Sequence, residues 1–321
     1  MTPKITAKII AHSISPSGQH IVTWELEYQR FIHGEFMTHR LFSRNAASSR
    51  AIPVKTIIAA VREAYASPIH WGQNEPGMQA SQQLEGRNLY DVQGMWEDAA
   101  MEAAYIAEKM DKCGAHKQVA NRILEPFQMM KTVMTATCLD NFFWLRNHKD
   151  AQPEIRELAR LMWEALQEAL PKAIQLQPGD WHTPYFGDGY WRANSVDDNL
   201  KPTNWAGDTL ENALAISSSC CAQVSFRKLD DTLEKAQMIY KRLVESEPVH
   251  ASPFEHSATP MAEYEDEWGV SIVNSPAHPK SWEAGITHAD RNGKLWSGNL
   301  VGWVQYRQLI PGNVCHEYVG H

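Results

Sequence analysis

The chain has 321 residues, 43% hydrophobic and 21% charged, a balance that supports a large buried core and excludes a disordered or fibrous protein. Its net charge of −8 argues against a nucleic-acid partner, because a phosphate backbone calls for a basic face. Five scattered cysteines without a CxxC pair give no disulfide framework, and no apolar run reaches the roughly 18 residues of a membrane span, so a cytoplasmic protein with no membrane partner is expected.

In chain order, "KITAKIIAHSI" and "HIVTWELEYQRFI" alternate like strands around the turn "SPSG" and predict a hairpin. "AIPVKTIIAAVREAY" predicts a helix entered through Pro53. "DVQGMWEDAAMEAAYIAEKMDKCG" has helical spacing with Met95, Ala99, Ala103, Ile106 and Met110 on one face, and "AHKQVANRILEPFQMMKTVMTATCLDNFFWLR" continues the helical pattern. "PEIRELARLMWEALQEALP" starts with Pro153 and buries Leu158, Met162, Ala165, Leu166 and Ala169. Residues 175–210, rich in Trp and Tyr, among them Trp181, Tyr185, Phe186, Tyr190, Trp191 and Trp205, are expected to be an ordered loop rather than a disordered one. "LDDTLEKAQMIYKRLVESEP" predicts another helix, and "LWSGNLVGWVQYRQLI" a strand.

Four polar stretches carry candidate chemistry. "THRLFSRNAASSR", residues 38–50, sets serines and arginines just before a helix start; this suits a phosphate, which helix amides and a guanidinium fork bind well, and equally a loop whose serines cap helices. In "DNFFWLRNHKDAQPEIR", Asn141 and Arg146 either face one pocket or leave Arg146 as a surface partner of Asp150. In "VHASPFEHSATP", the spacing of His250 and His256 fits no zinc pattern, so no metal is expected, and Ser252 with Glu255 has capping-box spacing. In "SSSCCAQVSFRK", the adjacent cysteines are small buried residues rather than a redox pair, and Ser225 and Arg227 are the polar members.

Together these stretches resemble the flavin-dependent thymidylate synthases (ThyX). "THRLFSRNAASSR" is similar to the family's Arg-His-Arg loop followed by Ser-x-Arg; "NFFWLRNHKDAQPEIRELA" to its arginine followed by Ala-Gln-x-Glu-Ile; and "AQVSFRK" with "HASPFEH" to its N-terminal block. The resemblance implies that Ser48, Ser49 and Arg50 hold the phosphate of deoxyuridylate, that Arg146 contacts the pyrimidine and polarises it, and that Arg122 also reaches the nucleotide. It implies FAD contacts from His39, Arg40, Asn141, Ser225 and His256. Methylenetetrahydrofolate is then the one-carbon donor and NADPH the reductant. The implied architecture is an α/β (α+β) fold, a mixed sheet packed against a helical layer, in one domain over 1–321 that assembles as a homotetramer with shared active sites. The blocks are out of family order, since "PFEH" follows the other two; a circular permutation accounts for this most simply, and a fusion of two half-related domains is the alternative.

Thr38 replaces the first arginine of the triplet, Ala46 a glutamate, and Thr135 and Thr137 fall where an asparagine and an arginine are expected. These losses surround the reducing cofactor, so a second product is open: water instead of hydride captures the methylene, giving 5-hydroxymethyl-deoxyuridylate, a phage-type nucleotide. A non-catalytic nucleotide- or flavin-binding module would instead show an emptied substrate site, and Ser48, Arg50 and Arg146 are present.

Overall fold

A computed structural model of the chain describes residues 4–193, 209–224, 229–263 and 273–318. The expected hairpin is there: β1 (Thr6–Ile14) and β2 (His20–Gln29) pair antiparallel. Gly18 closes the turn at φ +81°, a conformation that a Cβ would oppose. A single turn, α1 (His33–Phe36), leads to β3 (Ser43–Ala46), and α2 (Val54–Glu63) starts behind Pro53 as expected.

α3 (Gly86–Lys112) buries Ala100, Ala104 and Ala107, leaving Met95 and Ile106 exposed. The helix thus turns its small residues toward Val54, Ile57, Ile58 and Val61 of α2, with Ala103 and Met110 of the expected face half-buried at the edge of the same cluster, because alanines let two helices approach closely. The stretch 115–146 is not helical throughout. α4 (Lys117–Ala120) passes into a 3₁₀ turn over Asn121–Phe127 that contains Pro126, then β4 (Met129–Ala136) and α5 (Asp140–Arg146). Pro126 cannot continue a helix, and the Thr and Val of "MMKTVMTA" favour a strand buried on both faces, which shows no alternation.

α6 (Pro153–Ala169) begins at Pro153 as expected, with the Gln152 side chain accepting from the Ile155 amide. β5 (Ile174–Gln175), β6 (Trp181–His182) and β7 (Tyr190–Trp191) follow, so the expected aromatic loop supplies strands; Trp205 lies outside the described residues. α7 (Leu210–Ala222) buries Cys220 and Cys221 as free thiols, and burial pushes Cys220 up to about 12. After α8 (Leu233–Val244) come β8 (Ala258–Pro260), β9 (His288–Ala289), β10 (Leu295–Ser297), β11 (Leu300–Val301) and β12 (Trp303–Gln305). The single strand expected over 295–310 is therefore broken. Gly298 and Gly302, at φ +59° and +71°, turn the chain between its pieces, and a 3₁₀ turn follows over Tyr306–Leu309.

The main sheet runs β3-β4-β2-β1-β5, antiparallel except for β1 with β5. Strand periodicity gives it two unlike faces. Val22, Trp24, Leu26 and Tyr28 of β2, with Met130 and Met134 of β4, pack on Phe142 and Phe143 of α5 and on Ile155, Leu158 and Met162 of α6. The opposite face carries Thr23 and Thr135, directly opposed across β2 and β4, and Ser43 opposite Thr135 on β3. The second sheet, β12-β8-β6-β7, lies on this side, with Ile21 in one apolar cluster with Ala258, Leu300 and Trp303. The fold is thus mixed α/β, a sheet backed by helices on one face. Among the described residues no helix is long and apolar enough to cross a membrane.

Candidate active site

Three short segments converge on the loop that joins β2 to α2. Thr38 closes its first turn, its amide and hydroxyl both donating to the Glu35 carbonyl at 3.0 and 2.7 Å. Arg44 folds back and donates through one nitrogen to the carbonyls of Phe36 and His39, each at 3.0 Å. His39 packs edge-on against Phe142 and stacks on Phe42. Arg146, in the last turn of α5, donates from Nε to His39 Nε2 at 3.0 Å and from a terminal nitrogen to the Glu35 carboxylate. Burial, followed by the charges of Arg146 and Arg44, pushes His39 down to about 4, so its imidazole is neutral at pH 7 and accepts this bond. Arg146 is therefore not a partner of Asp150, which pairs with His148.

Arg146 and Glu35 line a cleft of about 1030 Å³, large enough for a nucleotide, whose other walls are Phe31, the loop around Ile69–Gly72 and the start of α6. The Ala-Gln-Pro-Glu-Ile motif shapes this wall. Gln152 caps α6, and the buried Glu154 carboxylate accepts from Gln152 and from the Ile69 amide, the latter at 2.7 Å, which ties the loop to the helix. Asn141 is exposed at the start of α5, one residue before the Phe142 that touches His39, and Arg40, which follows His39 in the loop, is exposed as well.

The predicted phosphate residues form a turn of their own. The Ser48 carbonyl accepts from the Ala51 and Ile52 amides, and its hydroxyl accepts from the Arg50 amide at 3.3 Å. Ser48 is half-buried and Arg50 exposed. Ser49 points inward and donates to Glu125 at 3.1 Å, while Asn121 donates to its carbonyl at 2.7 Å. Glu125 also takes Arg30 and Arg122, at 2.9 and 3.0 Å. The turn thus brings Arg122 to Ser49 through a shared carboxylate. Neither the turn nor Arg122 belongs to the lining of the cleft that holds Arg146.

The displaced block returns to the loop in space. Its 3₁₀ turn, Ser252–His256, lies against β3: Asn45 donates to the Ser252 hydroxyl at 3.2 Å, and His256 Nε2 meets the Asn45 side-chain oxygen at 3.0 Å. No capping-box bond forms there; Glu255 instead binds Arg307. His256 is fully buried, and its Nδ1 meets the Thr135 hydroxyl at 2.8 Å. The chain of bonds continues from Thr135 to Thr23 at 2.7 Å, to His182 Nε2 at 2.8 Å, and from His182 Nδ1 to Ser13 at 2.9 Å. One direction satisfies every group. With the Asn45 oxygen as acceptor, His256 carries its proton on Nε2, Thr135 donates to Nδ1, Thr23 to Thr135, His182 to Thr23 and Ser13 to His182. Burial pushes both histidines down to about 3, so each is neutral, as this scheme requires. On the same face Ser43 bonds with Asn299 and Gln305.

Thr135 and Thr137, at positions where the resemblance led one to expect an asparagine and an arginine, therefore hold the C-terminal block: Thr137 accepts from the Val301 amide at 3.0 Å. Both ring nitrogens of His256 are likewise spent inside the protein. Ser225 lies outside the described residues. Sequence reading missed Glu35, Glu125 and Asn45, of which only Glu35 left a signal, four residues before His39 on what proves to be a helical turn.

A sequence profile described as thymidylate synthase complementing protein matches residues 4–172, more than half of the chain. The chain belongs to that family, the flavin-dependent thymidylate synthases, and is a thymidylate synthase-like methyltransferase; the block from α7 onward lies beyond the match. Among solved structures, the UMP/dUMP methylase PolB from Streptomyces cacaoi is similar in two forms. Bound with 5-Br dUMP it has a TM-score of 0.44 at 17% identity over 51% of this chain and 90% of that one. Bound with 5-Br UMP it has a TM-score of 0.44 at 18% identity over 51% and 89%. No curated protein matches.

Proposed function

We propose that this enzyme transfers a one-carbon unit from methylenetetrahydrofolate to C5 of deoxyuridylate, with FAD as its flavin and NADPH as its reductant, giving thymidylate. The observation that carries this reading is the bond between His39 and Arg146: two motifs 107 residues apart meet at 3.0 Å. Arg146 binds the pyrimidine in the cleft. Ser48 and Arg50 hold the phosphate with help from Arg122, and Ser49 fixes their turn from below. His39, Arg40 and Asn141 are available to a flavin, which supplies the hydride that converts the transferred methylene to a methyl group. His256, enclosed, holds β3 in place instead of touching the flavin.

The phosphate turn lies outside the Arg146 cleft, which supports a homotetramer whose sites combine both parts from different copies. A second product, 5-hydroxymethyl-deoxyuridylate, is favoured by one observation: Thr38 and Thr137, neutral where the resemblance implies arginines, are bound within the protein together with Thr135, so these positions bring no cation to the reducing side. The cytoplasm, that of the host if a phage encodes the chain, is the expected compartment.

The test is to purify the full chain, record its flavin absorbance, and incubate it with deoxyuridylate and methylenetetrahydrofolate with and without NADPH. Mass spectrometry of the nucleotide distinguishes an added methyl from an added hydroxymethyl group. A colourless protein that leaves deoxyuridylate unchanged in the presence of added FAD overturns the reading.

A further inference from the structure

Arg146 arrives in the cleft already paired. Glu35 holds one terminal nitrogen, the neutral His39 holds Nε, and Arg146 and Glu35 keep 21% and 29% of their side-chain surface open. A lone guanidinium in a cleft suits an anion. A guanidinium beside a carboxylate has its charge compensated and presents a donor next to an acceptor. Among the described residues, the bonds of the Glu35 carboxylate run from Oε1 alone, and α1 carries it on a turn pinned by Thr38. The complement of such a pair is an uncharged amide edge, a carbonyl next to an N–H. Uracil has two such edges, and they share N3–H. Whichever carbonyl Arg146 takes, the carboxylate falls to N3–H.

We propose that Glu35 is a further catalytic residue, which accepts a hydrogen bond from N3–H of the uracil ring while Arg146 donates to the adjacent carbonyl. This rests on the deoxyuridylate reading above and adds to it how the ring is activated. Drawing on N3–H raises electron density in the ring and at C5, the carbon that must attack the methylene, and Arg146 stabilises the charge that collects on the carbonyl oxygen. The N3–H bond stays intact throughout. C5 attacks the methylene as one of its two bonds to folate nitrogen breaks, the electron pair staying on that nitrogen. The C5 proton then passes to water, its electron pair returning to the ring, and the second methylene–nitrogen bond breaks to release the folate. Thr38, standing where the triplet would have its first arginine, fixes the turn that carries the carboxylate.

The experiment uses the flavin-loaded full chain as wild type, E35Q and E35A, with deoxyuridylate and its N3-methyl analogue as probes. Binding is read by calorimetry, and C5 chemistry by release of tritium from C5 in single turnovers. In the wild type, N3-methylation weakens binding about 10- to 100-fold, the range of a lost bond to a charged group. In E35A this penalty shrinks to a few-fold. E35Q keeps an acceptor without the charge; it binds deoxyuridylate within a few-fold of wild type but releases tritium about tenfold more slowly or worse. A thermal melt of each variant confirms folding, and E35Q carries the test if E35A fails to fold. An N3-methyl penalty equal in wild type and E35A, or unchanged tritium release in E35Q, overturns the role of Glu35 while the deoxyuridylate reading stands. Turnover of deoxycytidylate, which has no N3–H, at a comparable rate also overturns it. Failure of the wild type to bind deoxyuridylate removes both.

Discussion

The two faces of the main sheet are held by different physics. Toward α5 and α6, Trp24, Leu26, Met134, Leu158 and Met162 form an apolar layer, where contacts are many, individually weak and free of direction. Toward the C-terminal block, Ser13, His182, Thr23, Thr135, His256 and Asn45 form a single file of hydrogen bonds. Each member of that file needs a donor on one side and an acceptor on the other. The apolar face supplies stability and tolerates changes of shape that keep volume, whereas the polar face fixes which segment lies on β3 and in what register. The two faces serve the two halves of the signature loop as well. Phe142 of the apolar side sets His39, and His256 of the polar side sets Asn45.

The largest effect belongs to the apolar face. Leu158→Ala, at a fully buried position, is expected to cost about 2–5 kcal/mol in denaturant unfolding, and Leu158→Met less than about 1.5 kcal/mol. Equal costs for the two would mean that this face is as shape-specific as the other. On the polar face, Thr135→Val strands the Nδ1 of His256 and is expected to cost about 1–3 kcal/mol. Thr23→Val falls in the same range. Because both break one chain, the double variant should cost clearly less than the sum, and strict additivity would show that the file does not act as a unit.

How much of this was legible in the sequence follows from the same contrast. The hairpin, α2, α6 and α8 announced themselves through alternation and a turn, an initiating proline or, for α8, amphipathic spacing, all local signals. β4 did not, because both of its faces are buried and its Met and Ala residues match a helical period. In α3 two apolar stripes competed, and only the partner helix decides between them. At the site, family motifs marked His39, Ser48, Arg50 and Arg146. The groups that orient them stayed hidden: Glu35 meets Arg146 across 111 residues, and Asn45 meets His256 across 211. A lone Asn, Thr or His carries no pattern until the fold supplies its partner.

The smallest effect, counted per pH unit, separates the faces by proton linkage. His182 and His256 are held down at about 3, against an ordinary value of 6.5, because the burial that encloses them penalises the cation. In the unfolded chain each takes up a proton near 6.5. Between the two values the unfolded state therefore binds more protons, and stability rises with pH. The contribution is complete above about pH 6.5 and is lost progressively as the pH falls toward 3. Each histidine adds up to about 1.4 kcal/mol per pH unit to that slope. His256→Asn, which cannot take up the proton, should lower stability at pH 7.5 yet flatten the fall between pH 6 and pH 4.5 (about one proton's worth). Leu158→Ala should leave the slope as it is in wild type and shift only its height. Urea midpoints across that pH range decide the matter: a slope that His256→Asn leaves unchanged would mean that this histidine does not stay neutral in the folded protein.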